Sequence, residues 1–277
     1  MSETTAGNPT LLQEQVAKIL VQPLEAASVV LSSGPRIFDT ASPLRIPRLV
    51  SGATVAFVAE GAAIPEGDVS FDEVKLMPSD RKSLKVIIRF TNELLRQSVI
   101  GLDATLKARL VSDVSNALDT ALLTGAGTTS SITGIINQAG VTAGVLDVTD
   151  TDTFLDALAL AHASEVQPDR WFLSGADFFA VRKLKDLQGR YVVESDVTAG
   201  ARYSLFGVPV TVTNKLAVGK AILADMSQVA IARDLAPSVT MLSERYADTD
   251  EQAIRVVTRY DLGLLHPAGV IVLTDVV

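Results

Sequence analysis

His162 and His266 are the two histidines of the chain, and histidine is the side chain best suited to moving protons near neutral pH. Neither stands in a catalytic spacing. The sequence contains no His-Glu-x-x-His, no Gly-x-Ser-x-Gly and no close pair of histidines that could share a metal. His162 falls on the polar-to-apolar border of a helical pattern and His266 precedes a proline at a strand connection, so hydrogen-bonding or surface roles are expected for both. Glu60 and Glu66 flank a Pro/Gly turn and have the chemistry of an acid/base pair. Nothing near them in sequence builds a pocket, which favours solvated or subunit-bridging carboxylates. Gly125-Ala126-Gly127, followed by Thr128, Thr129, Ser130 and Ser131, has the composition of a phosphate loop. A nucleotide fingerprint follows a strand, however, whereas this stretch follows a helix and lacks Gly-Lys-Ser/Thr, so a helix terminator is expected. Asp147, Asp150 and Asp152, and again Asp248, Asp250 and Glu251, could offer oxygens to a hard cation. They lack the glycine and the closing glutamate of an EF-hand loop, which points to turns and helix caps. No enzyme activity, cofactor or metal site is expected.

Composition narrows the class further. At 277 residues the chain can bury a core without staples, and with no cysteine it has neither disulfides nor thiolate metal sites. Hydrophobic residues make up 48% of it and mean hydropathy is +0.31. No apolar run approaches the roughly 20 residues that a membrane-spanning helix needs. That surplus must therefore be buried in a core or between subunits. Twenty-four basic against 32 acidic residues give a net charge of -8, the wrong sign for a protein that grips nucleic acid by neutralising phosphates. The opening MSETTAGNPT has neither the positive nor the apolar region of a secretory signal.

The elements that would position any site can be read in order. Leu11, Leu12, Val16, Ile19 and Leu20 fall at near-helical spacing before Pro23, and Pro43 and Pro47 keep the following stretch extended, which together suggest an arm lying along other structure. From Val58 to Phe90 the pattern predicts a long two-stranded hairpin. Its second arm alternates cleanly, with Leu84, Val86, Ile88 and Phe90 on one face and Lys85, Ile87 and Arg89 on the other. Its first arm, Val69 to Leu76, shifts its facing at Asp72 and Glu73 as a bulge or twist would, and Pro78, Ser79 and Asp80 supply the turn. A hairpin this long is at best marginally stable alone, so its partner is expected to be another copy of the chain.

Thr91 or Asn92 should cap a short helix ending before Gly101. A longer one follows, about 22 residues and ~33 Å, with Leu102, Leu106, Leu110, Val114, Ala117, Leu118, Ala121 and Leu122 on its apolar stripe. Asp103, Lys107, Asp113, Asn116 and Asp119 lie away from that stripe. Beyond it come a helix capped by Asp150 or Thr151, a buried strand at Trp171 to Leu173, and a helix from Ala176 to Leu184. Strands are expected at Val208 to Val212, Ala221 to Ala224, Gln228 to Ala232, Ile254 to Arg259 and Gly269 to Thr274. The last two should pair, with the long helix as their cover. Strands and helices mix without regular alternation, so the class is α+β.

Several stretches together resemble a known family. VAEGAAIPEGDVSF with an alternating strand after it, TNELLRQS, a long helix, LLTGAG, KLKDLQGRY from Lys183 to Tyr191, LFGVPV and the ending RYDLGLLHPAGVIVL are similar, in order, to the major capsid proteins of tailed bacteriophages. That resemblance implies the Hong Kong 97-type shell fold. It divides the chain into an N-terminal arm (1–45), an extended hairpin loop (46–90), a peripheral domain built on the long spine helix (91–134 and 236–277) and an axial domain (135–235). It also implies self-assembly as pentamers and hexamers into an icosahedral virion shell around double-stranded DNA, which an acidic chain would enclose without gripping.

The same resemblance fixes what to expect at particular residues. Some relatives weld subunits through an isopeptide bond between a hairpin lysine and an asparagine, promoted by a buried glutamate. Here those positions are Ile64, the vicinity of Asp250, and Val257, so non-covalent contacts are expected to hold the shell. Glu60, Ile64, Pro65, Glu66, Phe71, Lys75, Arg81, Lys82 and Lys85 are the candidates for inter-subunit contact. With about 45 residues ahead of the hairpin region, any scaffold is expected to be a separate protein or absent. Portal and decoration proteins are the further partners, no membrane is involved, and assembly is placed in the host bacterial cytoplasm. The alternative on the same fold is an encapsulin-type nanocompartment enclosing an enzyme cargo. A free α+β enzyme is the rival of a different class.

Overall fold

The computed structural model describes residues 27–51, 55, 57–59, 69–77, 82–91, 102–186, 188–191, 193, 203–234, 238–242 and 244–275. In chain order these form β1 (Arg36–Asp39), β2 (Leu44–Ser51), β3 (Ser70–Leu76), β4 (Leu84–Thr91), α1 (Leu102–Thr124), β5 (Thr142–Leu146), α2 (Asp152–Ala163) and β6 (Arg170–Leu173). There follow α3 (Gly175–Arg182), β7 (Ser204–Leu205), β8 (Val208–Val212), β9 (Lys220–Ala224), β10 (Val229–Arg233), β11 (Ser238–Leu242), β12 (Glu251–Thr258), β13 (Tyr260–Leu264) and β14 (Val270–Asp275).

A six-stranded mixed sheet, ordered β5-β14-β9-β6-β8-β7, holds most of the core. Its central strands are apolar on both sides. Trp171, Leu173, Leu223 and Ile271 face a core shared with Phe154 of α2 and Phe178 of α3, while Phe172, Ile222, Val270 and Val272 face a second core shared with α1. Continuous rather than alternating apolar sequence is what a strand buried on both faces requires. Each of these side chains contributes about 1.5–3 kcal/mol by leaving water. Phe154 meets the edge of Trp171 at 5.5 Å between ring centres, and Ser174 caps α3 by accepting the Asp177 N–H at 3.1 Å.

Helix α1 joins this body to a smaller sheet ordered β11-β12-β4. Leu110 and Val114 pack with Val86, Ile88, Ile254 and Val256 of that sheet, and two turns later Leu118 and Leu122 enter the core behind the large sheet. The long helix thus covers the strands that follow late in the chain, as its stripe predicts. Two details differ from the expected stripe. Ala117 is exposed, and Asp119, expected on the polar side, is buried. At the helix end Asn137 Nδ2 donates to the carbonyls of Thr124 and Gly125 at 3.2 and 2.8 Å, satisfying acceptors that a helix terminus leaves open.

Three strand assignments are corrected. The sequence of Tyr260–Leu264 hides a strand, β13, because it is buried along nearly its whole length and shows no alternation. The last two expected strands do not pair: β12 lies between β11 and β4, and β14 lies between β5 and β9. Most consequentially, the two arms expected to form one hairpin do not face each other. β3 pairs antiparallel with β2, and β4 pairs with β12.

Candidate functional site

The projecting element of the chain is therefore the β2-β3 ladder, in register from Leu44 opposite Leu76 to Leu49 opposite Phe71, with a shift between Leu49 and Ser51. The irregularity expected in this arm lies on the strand opposite. The base of the ladder is anchored within its own chain, contrary to the expectation that it has nothing to lie against. Leu44, Ile46, Val74, Leu76 and Met77 pack with Phe38, Ala230 and Ala232. A Cβ at Gly263 would stand 2.6 Å from Val74 Cγ1, so the ladder rests directly on the β13 backbone, and the Met77 N–H donates to Asp261 Oδ2 at 2.8 Å. Burial raises the Asp261 carboxyl above its ordinary range, against the pull of the Met77 and Leu262 N–H groups.

Away from that base the apolar side chains have no cover. Phe71 is 74% exposed, and Val55, Phe57 and Val69 are exposed as well. Along the same strands charges are paired in cis: Arg48 with Asp72 at 2.6 Å, Lys75 with Glu73 at 2.9 Å, and Arg45 with Glu73 at 3.6 Å. The Arg48 guanidinium holds Asp72 below the usual carboxylate range, and the Lys75 ammonium does the same for Glu73. Being open to solvent on at least one side, these pairs align the ladder more than they stabilise it.

Of the residues expected at subunit contacts, Glu60, Ile64, Pro65, Glu66 and Arg81 lie outside the described residues, as do the turn Pro78–Asp80 and the short helix expected after Thr91. Phe71 stands outward. Lys75 is engaged with Glu73. Lys82 borders a cavity of about 180 Å³ lined by Leu84, Leu118, Ala121, Ile132 and Tyr260. Lys85 is exposed on β4, opposite Val257 of β12.

The remaining chemical candidates resolve into structure. His162 and His266 are exposed. Gly125 ends α1: a Cβ there would collide with the carbonyl oxygens of Ile132 and Ala121, so the loop is closed on itself rather than open to a phosphate. Asp147 accepts from the Thr149 N–H and hydroxyl, which lowers its carboxyl, and Asp150 accepts the Asp152 N–H, both being turn and cap bonds. Among the described residues no three His, Cys, Asp or Glu side chains come together as a metal cluster, and no helix is long and apolar enough to cross a membrane. Sequence reasoning missed Asp119, whose carboxylate binds the end of the N-terminal segment at Ser28–Val30. No periodicity argument reveals a partner 91 residues away.

Comparison with known proteins decides the family. The phage capsid family matches residues 7–275. The chain belongs to the phage capsid family. The major capsid protein of Klebsiella oxytoca phage phiKO2 is 23% identical to it, the match covering 99% of this chain and 70% of that protein. A solved structure from Mycobacterium phage Adephagia superposes with a TM-score of 0.71 at 20% identity, covering 100% of this chain and 99% of that one. The capsid of a native GTA particle superposes with a TM-score of 0.72 at 17% identity, covering 90% of each chain. The fold is thus the α+β Hong Kong 97-type shell fold, and family members are structural proteins of the virion rather than enzymes.

Proposed function

We propose that this major capsid protein assembles as pentamers and hexamers into an icosahedral shell that encloses double-stranded DNA, and that non-covalent contacts alone hold it. The observation that carries this reading is the β2-β3 ladder. It is clamped at its base by Leu76, Met77 and Asp261 while it presents Phe71 uncovered to the outside. An anchored strand pair with an apolar outward face suits burial against a second copy. The net charge of -8 suits DNA held by enclosure.

In the proposed division the arm spans 1–45, the extended loop 46–90, the peripheral part 91–134 and 236–277, and the axial part 135–235. Strand β14 crosses from the peripheral part into the six-stranded sheet. Glu60, Ile64, Pro65, Glu66, Phe71, Lys75, Arg81, Lys82 and Lys85 are the proposed contact residues. Portal, scaffold and decoration proteins are the proposed further partners, with assembly in the host cytoplasm. Ile64, Val257 and Asp250 lack the amine, the promoting carboxylate and the amide of an isopeptide weld. Sedimentation of the purified protein tests assembly: the reading predicts a fast-sedimenting particle, and a chain found only at its 29.3 kDa monomer mass would overturn it.

A further inference from the structure

We infer that the two opposite edges of the six-stranded sheet are complementary surfaces, and that each subunit of a ring sets the Arg182 edge of its sheet against the Asp156 edge of the next copy. This inference rests on the shell reading above and names a contact within it. At the β7 edge, Phe179 and Tyr203 are 46% and 42% exposed, and the Arg182 guanidinium lies 5.5 Å from the Tyr203 ring centre and 5.7 Å from that of Phe178. Among the described residues Arg182 has no carboxylate partner. The β7-β8 turn adds Phe206, exposed and held at φ 50°. That φ, with 82° at Gly207, is what the two-residue turn of the β7-β8 hairpin requires, and it leaves the ring outside its own core at the edge of the sheet.

The β5 edge offers the counterpart. Asp156 and Leu160 are four residues apart on α2, hence on one flank of the helix, and both are exposed. That flank faces the edge strand, since Leu160 Cδ1 is 3.7 Å from where a Gly144 Cβ would stand. Asp156 has no cation partner among the described residues. Val145 of β5 is exposed at the same edge, on the face of the sheet opposite to Gly144 and Leu160. One edge thus carries an aromatic patch with a cation, and the other carries aliphatic groups with an anion, neither of them paired with an opposite charge among the described residues. The two are separated by five strand spacings, about 24 Å, so a single copy cannot join them. Two different patches on one molecule make a head-to-tail contact, which closes a ring when the rotation permits. The guanidinium is the suited member, because it stacks on aromatic rings while donating to a carboxylate.

Charge exchange tests the pairing. Arg182→Asp and Asp156→Arg each place like charges at every contact and are expected to abolish particles seen by electron microscopy. The double variant Arg182→Asp/Asp156→Arg restores opposite charges and is expected to restore particles. Melting of the unassembled chains checks folding, and Phe206→Asn, exposed, outside the charge pair and suited to the left-handed turn position, supplies a second variant that should weaken assembly without lowering the melting temperature. Single variants that assemble like the wild type, or a folded double variant that does not assemble, would overturn the inference while leaving the shell reading intact. A wild-type chain that forms no shells would instead remove the shell reading itself.

Discussion

The carboxylate of Asp119, in the last third of α1, accepts the Ser28 hydroxyl at 2.6 Å, and it also takes the N–H groups of Val29 and Val30 at 2.9 and 3.1 Å. Ser28 in turn accepts the Leu31 N–H at 3.1 Å. One buried side chain thereby satisfies the start of the described chain and fixes where the N-terminal segment meets the spine helix. Asp119→Ala should destabilise the unassembled protein by about 3 kcal/mol, because it leaves buried donors unpaired. Asp119→Asn, which keeps one acceptor, should cost less. Denaturant midpoints measure both, and an unchanged midpoint for the alanine variant would show that the N-terminal segment does not depend on this residue.

Asp261 gives the stability a pH dependence with an unusual sign for a carboxylate. Its pKa in the folded chain is raised by burial, so the folded state holds the proton more tightly than the unfolded state does. Its contribution is therefore fully present below the unfolded carboxylate value and is lost as pH rises through the folded one. Asp261→Asn removes the ionisation and still offers an oxygen to the Met77 N–H. The variant should gain on the wild type as pH rises from the ordinary carboxylate range toward neutrality, read as the difference between their denaturant midpoints. A difference that shrinks over that range would contradict the assignment.

Two glycines should respond differently to the same change. Gly125→Ala drives a methyl into the backbone oxygens of Ile132 and Ala121, which cannot swing aside. A loss of about 3 kcal/mol is expected. Gly189 has open space around its Cβ position and a φ of 82°, so Gly189→Ala should cost only the left-handed backbone penalty of about 1 kcal/mol. Equal thermal shifts for the two would show that the α1 terminus can relax.

Phe71 separates folding from assembly. Because its ring is largely uncovered, Phe71→Ser should change the stability of the single chain by no more than about 0.5 kcal/mol while reducing the yield of particles. Removing Gly61 to Ser83 outright is a harsher change. That segment includes Leu76 and Met77, which are buried in the core at the base of the ladder. The deletion should therefore lower the melting temperature as well as abolish shells.

How much of this was legible in the sequence depends on where each element finds its partner. The α1 stripe, the buried Trp171–Leu173 strand and the Val208–Val212 strand are set by residues close in sequence, and their periodicity or apolar runs reveal them. The β2-β3 pairing escapes because Pro43 and Pro47 make the first strand look like an extended arm. Pro47 is tolerated there because β2 is an edge strand with one neighbour. β4 alternates well enough to suggest a hairpin with β3, and its pairing with β12, over 160 residues later, carries no local signal. Asp119 reads as a polar-face residue for the same reason. Phe71 and Lys75 on β3, and Lys85 on β4 with Lys82 just before it, belong to two different sheets rather than to one hairpin. Of these, only Phe71 ends as an uncovered apolar side chain on the projecting ladder.

Electron microscopy of the purified wild-type protein addresses the central claim most directly. Closed icosahedral shells with pentameric and hexameric rings, filled with double-stranded DNA when taken from infected cells, are the predicted result. Dispersed single chains, open sheets without closure, or shells that hold a protein cargo and no DNA would contradict it.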